Sequence, residues 1–216
     1  GFFFLSKLLQ KKTGWVLLNP ILVAIAMLIC FLQFTGVSYE TYSEAGSLVE
    51  FWLKPAVVAL GVPLYLQLRM IKKQLMPILI SQLAGCVVGL VSVTIIAKLM
   101  GASPEVIMSL APKSVTTPIA MEVSNAVGGI PSLTAAVVIV VGLFGAICGF
   151  KLLQVGRVAS PIAQGLSMGT ASHAVGTSRA MEVSGKYGAY ASLGLTLNGI
   201  LTALLSPTIL HILGLY

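Results

Sequence analysis

The chain has 216 residues, 57% of them hydrophobic and 9% charged, with a formal net charge of +7 and no aspartate. Its mean hydropathy is +0.99. A soluble domain carries about 25% charged residues, so this composition leaves too little polar surface to cover a globule, and the expected solvent is lipid. The basic residues fall at the ends of apolar segments and not on one soluble face, which argues against a nucleic-acid partner and fits cytoplasmic loops. A phosphate-loop motif, HExxH and GxSxG are absent, so no enzyme, no metal site and no cofactor are expected. Cys30, Cys86 and Cys148 sit singly inside apolar runs and read as small buried hydrophobes.

In chain order, Phe2–Leu9 is apolar but too short to span a bilayer, which takes about 20 residues. It reads as the stump of a first span; Lys11 and Lys12 follow it instead of preceding it, which argues against a signal peptide. Segments long enough to cross are Trp15–Gly36, Leu48–Leu68, Leu75–Leu99, Pro131–Phe150 and Tyr187–Leu213. With the stump they make about six spans. An acidic loop carrying Glu40, Glu44 and Glu50 separates the first two long segments. Gly85-x-x-x-Gly89 and Gly145-x-x-x-Gly149 read as close-packing seams.

The rule that positive charge stays inside places Lys11/Lys12, Arg69/Lys72/Lys73 and Lys151/Arg157 in the cytoplasm. Alternating spans then put Glu40–Glu50 and Ser103–Glu105 outside. Residues 103–130 must leave and return on the outer side, and residues 158–186 on the inner side, with both termini outside. The expected fold is an all-α polytopic membrane protein: about six spans plus two re-entrant broken-helix hairpins in an inverted repeat. Residues 1–100 form scaffold spans and residues 101–216 the core, built as hairpin 103–130 with span 131–150 and hairpin 158–186 with span 187–213.

The two cassettes are related in sequence. Ala-Met-Glu-Val-Ser occurs at Ala120–Ser124 and again at Ala180–Ser184, sixty residues apart, and Lys113–Ser124 matches His173–Ser184 at seven of twelve positions. Each cassette opens with Ala-Ser-Pro, a helix cap followed by Pro at the first helical position. Ala111-Pro112 is expected to end the first half-helix and Thr117-Pro118 to start the second, which runs to Gly128-Gly129. In the second cassette, Gly169, Gly176 and Ser/Thr residues are expected to supply the break, Thr177 or Ser178 the restart, and Gly185 or Gly188 the end.

Half-helices that restart near mid-membrane point free N–H groups and a positive dipole end into the site, which suits an anion. The candidate binding residues are Lys113, Ser114, Thr116, Thr117, His173, Thr177, Ser178 and Arg179. Lys113 reads either as a ligand or as a neutralising partner of Glu122, and His173 either as a ligand or as a packed histidine. Arg179 has a fork suited to a carboxylate. Glu122 and Glu182 are either coupling groups or ion-pair partners of Lys113 and Arg179; Asn125, Ser172 and Asn198 are further polar candidates. Coupling to H+ or Na+ is compatible with this set.

Lys113-Ser-Val-Thr-Thr-Pro-Ile-Ala-Met, Gly128-Gly-Ile-Pro and Met168-Gly-Thr-Ala-Ser-His-Ala-Val-Gly-Thr-Ser-Arg resemble the LrgB/CidB family, as do Leu18-Asn-Pro-Ile-Leu and Lys54-Pro-Ala-Val-Val-Ala-Leu. The resemblance covers nearly the whole chain. It implies a bacterial inner-membrane protein working beside a small LrgA/CidA-type partner, in a lipid bilayer and with a possible homo-oligomeric state. It also implies one of two activities. One is a holin-like or antiholin-like control of murein hydrolases and lysis. The other is carriage of a small monocarboxylate such as pyruvate, glycolate or glycerate, as in the plastidial glycolate/glycerate transporter that the family resembles. The residues favour the carrier, because a pore has no use for paired discontinuous helices.

Overall fold

The computed structural model describes residues 2–13, 20–51, 55, 65, 72 and 74–215. The regular secondary structure of these residues is helical throughout. Contacts divide the chain into two compact units, Gly1–Ala56 and Val57–Tyr216.

In the first unit, α1 (Phe2–Thr13) packs against α2 (Pro20–Thr35). Gly36 stops α2 at φ +68°, a backbone state open to glycine at little cost. Ser38 then caps α3 (Tyr39–Phe51), its Oγ accepting the Thr41 N–H at 3.3 Å. This corrects the expected acidic loop: Glu40, Glu44 and Glu50 lie on a helix. Glu40 sits in its first turn, where the helix dipole favours negative charge. The start of the expected span Trp15–Gly36 and most of Leu48–Leu68 lie outside the described residues.

The second unit holds α4 (Leu75–Leu99), α5 (Pro104–Leu110), α6 (Thr117–Ala126), α7 (Pro131–Val155), α8 (Pro161–Val183) and α9 (Gly185–Ile212). Among the described residues, α4, α7 and α9 are the helices long and apolar enough to cross a membrane. At about 1.5 Å per residue, 25 residues reach about 37 Å, beyond a hydrocarbon core of about 30 Å. α4 keeps its expected bounds, whereas α7 continues five residues past Phe150 and stops at Gly156 and Arg157, the latter at φ 56°. α4, counted above with the scaffold spans, packs in the same unit as both cassettes.

Beside its apolar core clusters, the structure departs from a water-soluble bundle in what it exposes and in the polar groups it buries. Leu83, Val88 and Ile96 of α4, Val140 and Phe144 of α7, and Leu204 of α9 are exposed, while Gln82, Thr134, Thr170, Asn198 and Thr202 are buried. Apolar side chains outward and hydrogen-bonded polar groups inward are what a lipid solvent selects. The chain is a membrane protein.

The helix directions follow from pairwise contacts. Cys86 Sγ lies 3.4 Å from Thr202 Oγ1, and Lys98 Nζ donates to the Leu213 carbonyl at 3.3 Å, so α4 and α9 run parallel. Gly165 abuts Tyr187 and Tyr190, and Gly169 abuts Ala191 and Leu195, so the first half of α8 also runs parallel to α9. Gly149 faces Met168 and Gly145 faces Ser172, so that half of α8 is antiparallel to α7. The Gly145/Gly149 seam is therefore real and lies within the chain. The Gly85/Gly89 seam is half formed: Gly85 meets the Thr170 methyl, while Gly89 faces open space.

Candidate functional site

The first cassette breaks where its prolines dictate. Ser103 precedes α5 with Pro104 at its start, and α5 ends at Ala111. α6 restarts at Thr117 with Thr116 as its N-cap residue, and Gly128 at φ +84° follows its end. The cassette is fastened to α7 by hydroxyls. Thr134 Oγ1 lies 2.7 Å from Ser124 Oγ and 2.9 Å from the Ser109 carbonyl, and the Ile130 N–H donates to Ser109 Oγ at 2.7 Å. Ser109, Ser124 and Thr134 are fully buried, so each unmade bond here costs desolvation.

The second cassette breaks within the expected stretch between Gly169 and Gly176, but its helix restarts earlier than expected. Ser160 caps α8, but the non-helical residues are Ser172 (φ −129°, ψ 16°) and His173 (φ 41°, ψ −138°). The helix thus resumes at Ala174, three residues before Thr177 and four before Ser178, and Gly185 begins α9 instead of ending α8. Ser184 caps α9, accepting the Tyr187 N–H at 3.4 Å. Thr177 Oγ1 donates back to the His173 carbonyl at 2.9 Å. The chain doubles back at this break. Gly176 lies against the Met168 carbonyl, and Ala180 clusters with Met168, whereas an unbroken helix would hold residues 168 and 180 about 18 Å apart. A left-handed φ on a histidine costs roughly 1–3 kcal/mol unless its surroundings hold it. Here His173 Nε2 lies 2.7 Å from the Val138 carbonyl, so that nitrogen carries the proton, and the ring packs on Gly142.

Both tips converge on the same two helices. Val115 of the first tip packs on Val138 of α7, the residue His173 of the second tip bonds. Asn198 of α9 donates from Nδ2 to the Ser114 carbonyl at 3.3 Å and to the Thr170 carbonyl at 3.0 Å, one from each cassette. Val138 and Asn198 are themselves sixty residues apart, the spacing of the repeated pentapeptide.

Beside this crossing is a cavity of ≈ 770 Å³ between α4, the first half of α8, α9 and the first tip. Its polar wall includes Gln82, Lys113, Ser114, Thr170, Asn198 and Thr202, and Lys113 is the only charged side chain among its described lining residues. Lys113 Nζ donates to Ser114 Oγ at 3.1 Å. Thr170 Oγ1 lies 2.7 Å from Gln82 Oε1, tying α8 to α4.

The other sequence candidates lie off this cavity. Ser172 and His173 are buried against α7, and Thr177 is buried and back-bonded. Thr116 and Thr117 are half-buried at the start of α6. Ser178 is exposed, as is Arg179, which pairs with Glu182 at 2.7 Å. Glu122 and Asn125 lie on the exposed side of α6. Sequence reasoning missed Gln82, Thr170 and Thr202. Gln82 was findable as the one amide within the apolar run of α4; the Val138 carbonyl carries no sequence signal at all.

Comparison with known proteins places these features in context. The profile of the LrgB-like family matches residues 1–212. The chain is 38% identical to the holin-like protein CidB of Staphylococcus epidermidis over 208 residues, covering 96% of this chain and 91% of the relative. It is 37% identical to the holin-like protein CidB of Staphylococcus aureus over the same shares. It is also 37% identical to the uncharacterized protein YwbG of Bacillus subtilis, covering 95% of this chain and 91% of that one. No solved structure matches.

Proposed function

We propose that this chain, which belongs to the LrgB-like family, carries a small carboxylate anion across the bacterial inner membrane. The observation that carries the reading is Lys113, a half-buried ammonium on the wall of a largely apolar cavity at the meeting of two broken helices. A charge within the bilayer costs about 2.5–3.5 kcal/mol or more, and a carboxylate bound at Lys113 offsets that cost. The cavity volume falls within the range of small-molecule sites. Ser114 supplies a hydroxyl beside the ammonium.

Helix directions support two re-entrant cassettes in an inverted repeat. α4, α9 and the first half of α8 share one direction, and α7 opposes them. A second cassette that crossed once would set the start of α8 antiparallel to α9. A first cassette that crossed once would set α7 parallel to α4. These directions favour cassettes that each enter and leave on one face, the plan on which carriers alternate access around a midplane site. About six spans, outer termini and a small LrgA/CidA-type membrane partner complete the proposal.

The relatives favour a second reading. Two of them bear the name holin-like protein CidB, and none of those above is named as a carboxylate carrier, so the comparisons back holin-like control of lysis better than carriage. The cavity backs the carrier. Purified chain in proteoliposomes separates them: saturable uptake of pyruvate or glycolate without dye leakage supports the carrier, and release of entrapped dye without saturable uptake supports the holin-like reading.

A further inference from the structure

The crossing of the two cassettes leaves two buried oxygens without partners, Asn198 Oδ1 and Thr116 Oγ1. Asn198 is 2% exposed. Both tip carbonyls face its Nδ2; turning the amide over would set oxygen against two oxygens. The orphan is therefore Oδ1, and its orientation is fixed. Thr116 lies on the same tip, between Ser114, which accepts from Asn198, and Ile119, which packs on Gly199. As the N-cap residue of α6 it makes no side-chain cap bond, so its hydroxyl is free for another ligand.

We propose that Asn198 Oδ1 and Thr116 Oγ1 hold a sodium ion that binds together with the anion on Lys113. The donors are an amide and a hydroxyl oxygen. These are hard neutral ligands that suit a monovalent cation, whereas calcium and magnesium sites are built on carboxylates. Lys113 and the positive end of α6 repel a lone cation here. A carboxylate on Lys113 removes that repulsion, so each ligand raises the affinity for the other by one and the same factor. Coupling of this kind lets a sodium gradient drive the anion.

The inference rests on the anion-carrier reading, and the test separates the two. Binding of radioactive sodium to the purified full chain is measured in choline chloride, with and without choline pyruvate, alongside uptake into proteoliposomes. Saturable sodium binding tightened by pyruvate is expected, and Thr116→Val, which loses only an unbonded hydroxyl, is expected to weaken it about tenfold. Asn198→Ser is the second variant, and both must keep the wild-type melting temperature in choline. Wild-type affinity in a folded Thr116→Val, or sodium binding indifferent to pyruvate, overturns the site. Saturable uptake that ignores sodium overturns the site and leaves the carrier standing; leakage without saturable uptake overturns both.

Discussion

Gly145 offers the sharpest test of how the second cassette is held. A Cβ built there overlaps Ser172 Oγ and Ser172 Cβ, at the break in α8. Overpacking of this kind costs about 1–3 kcal/mol, and the helix-propensity gain of glycine to alanine returns at most about 1 kcal/mol. Ser172 Cβ cannot rotate away, so the cost falls at the upper end, and Gly145→Ala is expected to destabilise by about 1–2 kcal/mol, a fall of roughly 2–8 °C in melting temperature for a chain of this size. Gly89 is the internal control, because its added Cβ meets nothing within 4 Å. Gly89→Ala keeps the propensity gain without the clash and is expected to hold or raise the melting temperature. Ser172→Gly removes both overlapped atoms and should restore much of the loss in the double variant. Thermal melting of the four purified variants in one detergent decides it. Gly145→Ala melting at or above wild type, or no rescue by Ser172→Gly, would refute the packing of the break against α7.

Further outcomes follow from the same geometry. His173→Gly is expected to melt above His173→Ala by about 1 kcal/mol equivalent, since both lose the Val138 bond but only glycine adopts φ 41° freely; equal melting contradicts a strained break. Thr134→Val is expected to cost about 1–2 kcal/mol by removing the shared donor of the Ser109–Ser124 knot, and a Thr134→Val/Ser124→Ala cycle with no coupling contradicts it. Arg179→Gln is expected to change stability by no more than about 0.5 kcal/mol, because its ion pair with Glu182 is largely exposed. Its anion uptake should stay near wild type, and a loss matching that of a Lys113 variant contradicts the cavity's placement.

What the sequence revealed depended on where the backbone instructions are local. Pro104, Pro112 and Pro118 punctuate the first cassette, and its breaks fall where those residues predict. The break at Ser172 and His173 has no proline or glycine of its own. It is imposed by the Val138 carbonyl and by glycines of α7 that admit the turn, contacts invisible until the helices are assembled. Ser38 and Gly36 were local signals for α3, overlooked because the acidic residues suggested a loop. The repeated pentapeptide proved to be scaffold. Ala120 and Ala180 are fully buried, Ser124 joins the hydroxyl knot, and Ser184 caps α9. The proposed anion site lies upstream of it, at Lys113. Arg179, its companion in the sequence argument, stands on an exposed face instead, paired with Glu182.

The most direct measurement is uptake of a small carboxylate by proteoliposomes holding the purified chain or its Lys113→Gln variant. A charge-assisted hydrogen bond is worth about 1.5–3 kcal/mol, so the account predicts saturable wild-type uptake, weakened about tenfold to a hundredfold in affinity by Lys113→Gln. Wild-type uptake kinetics in a folded Lys113→Gln protein, or dye release in place of saturable uptake, would contradict it.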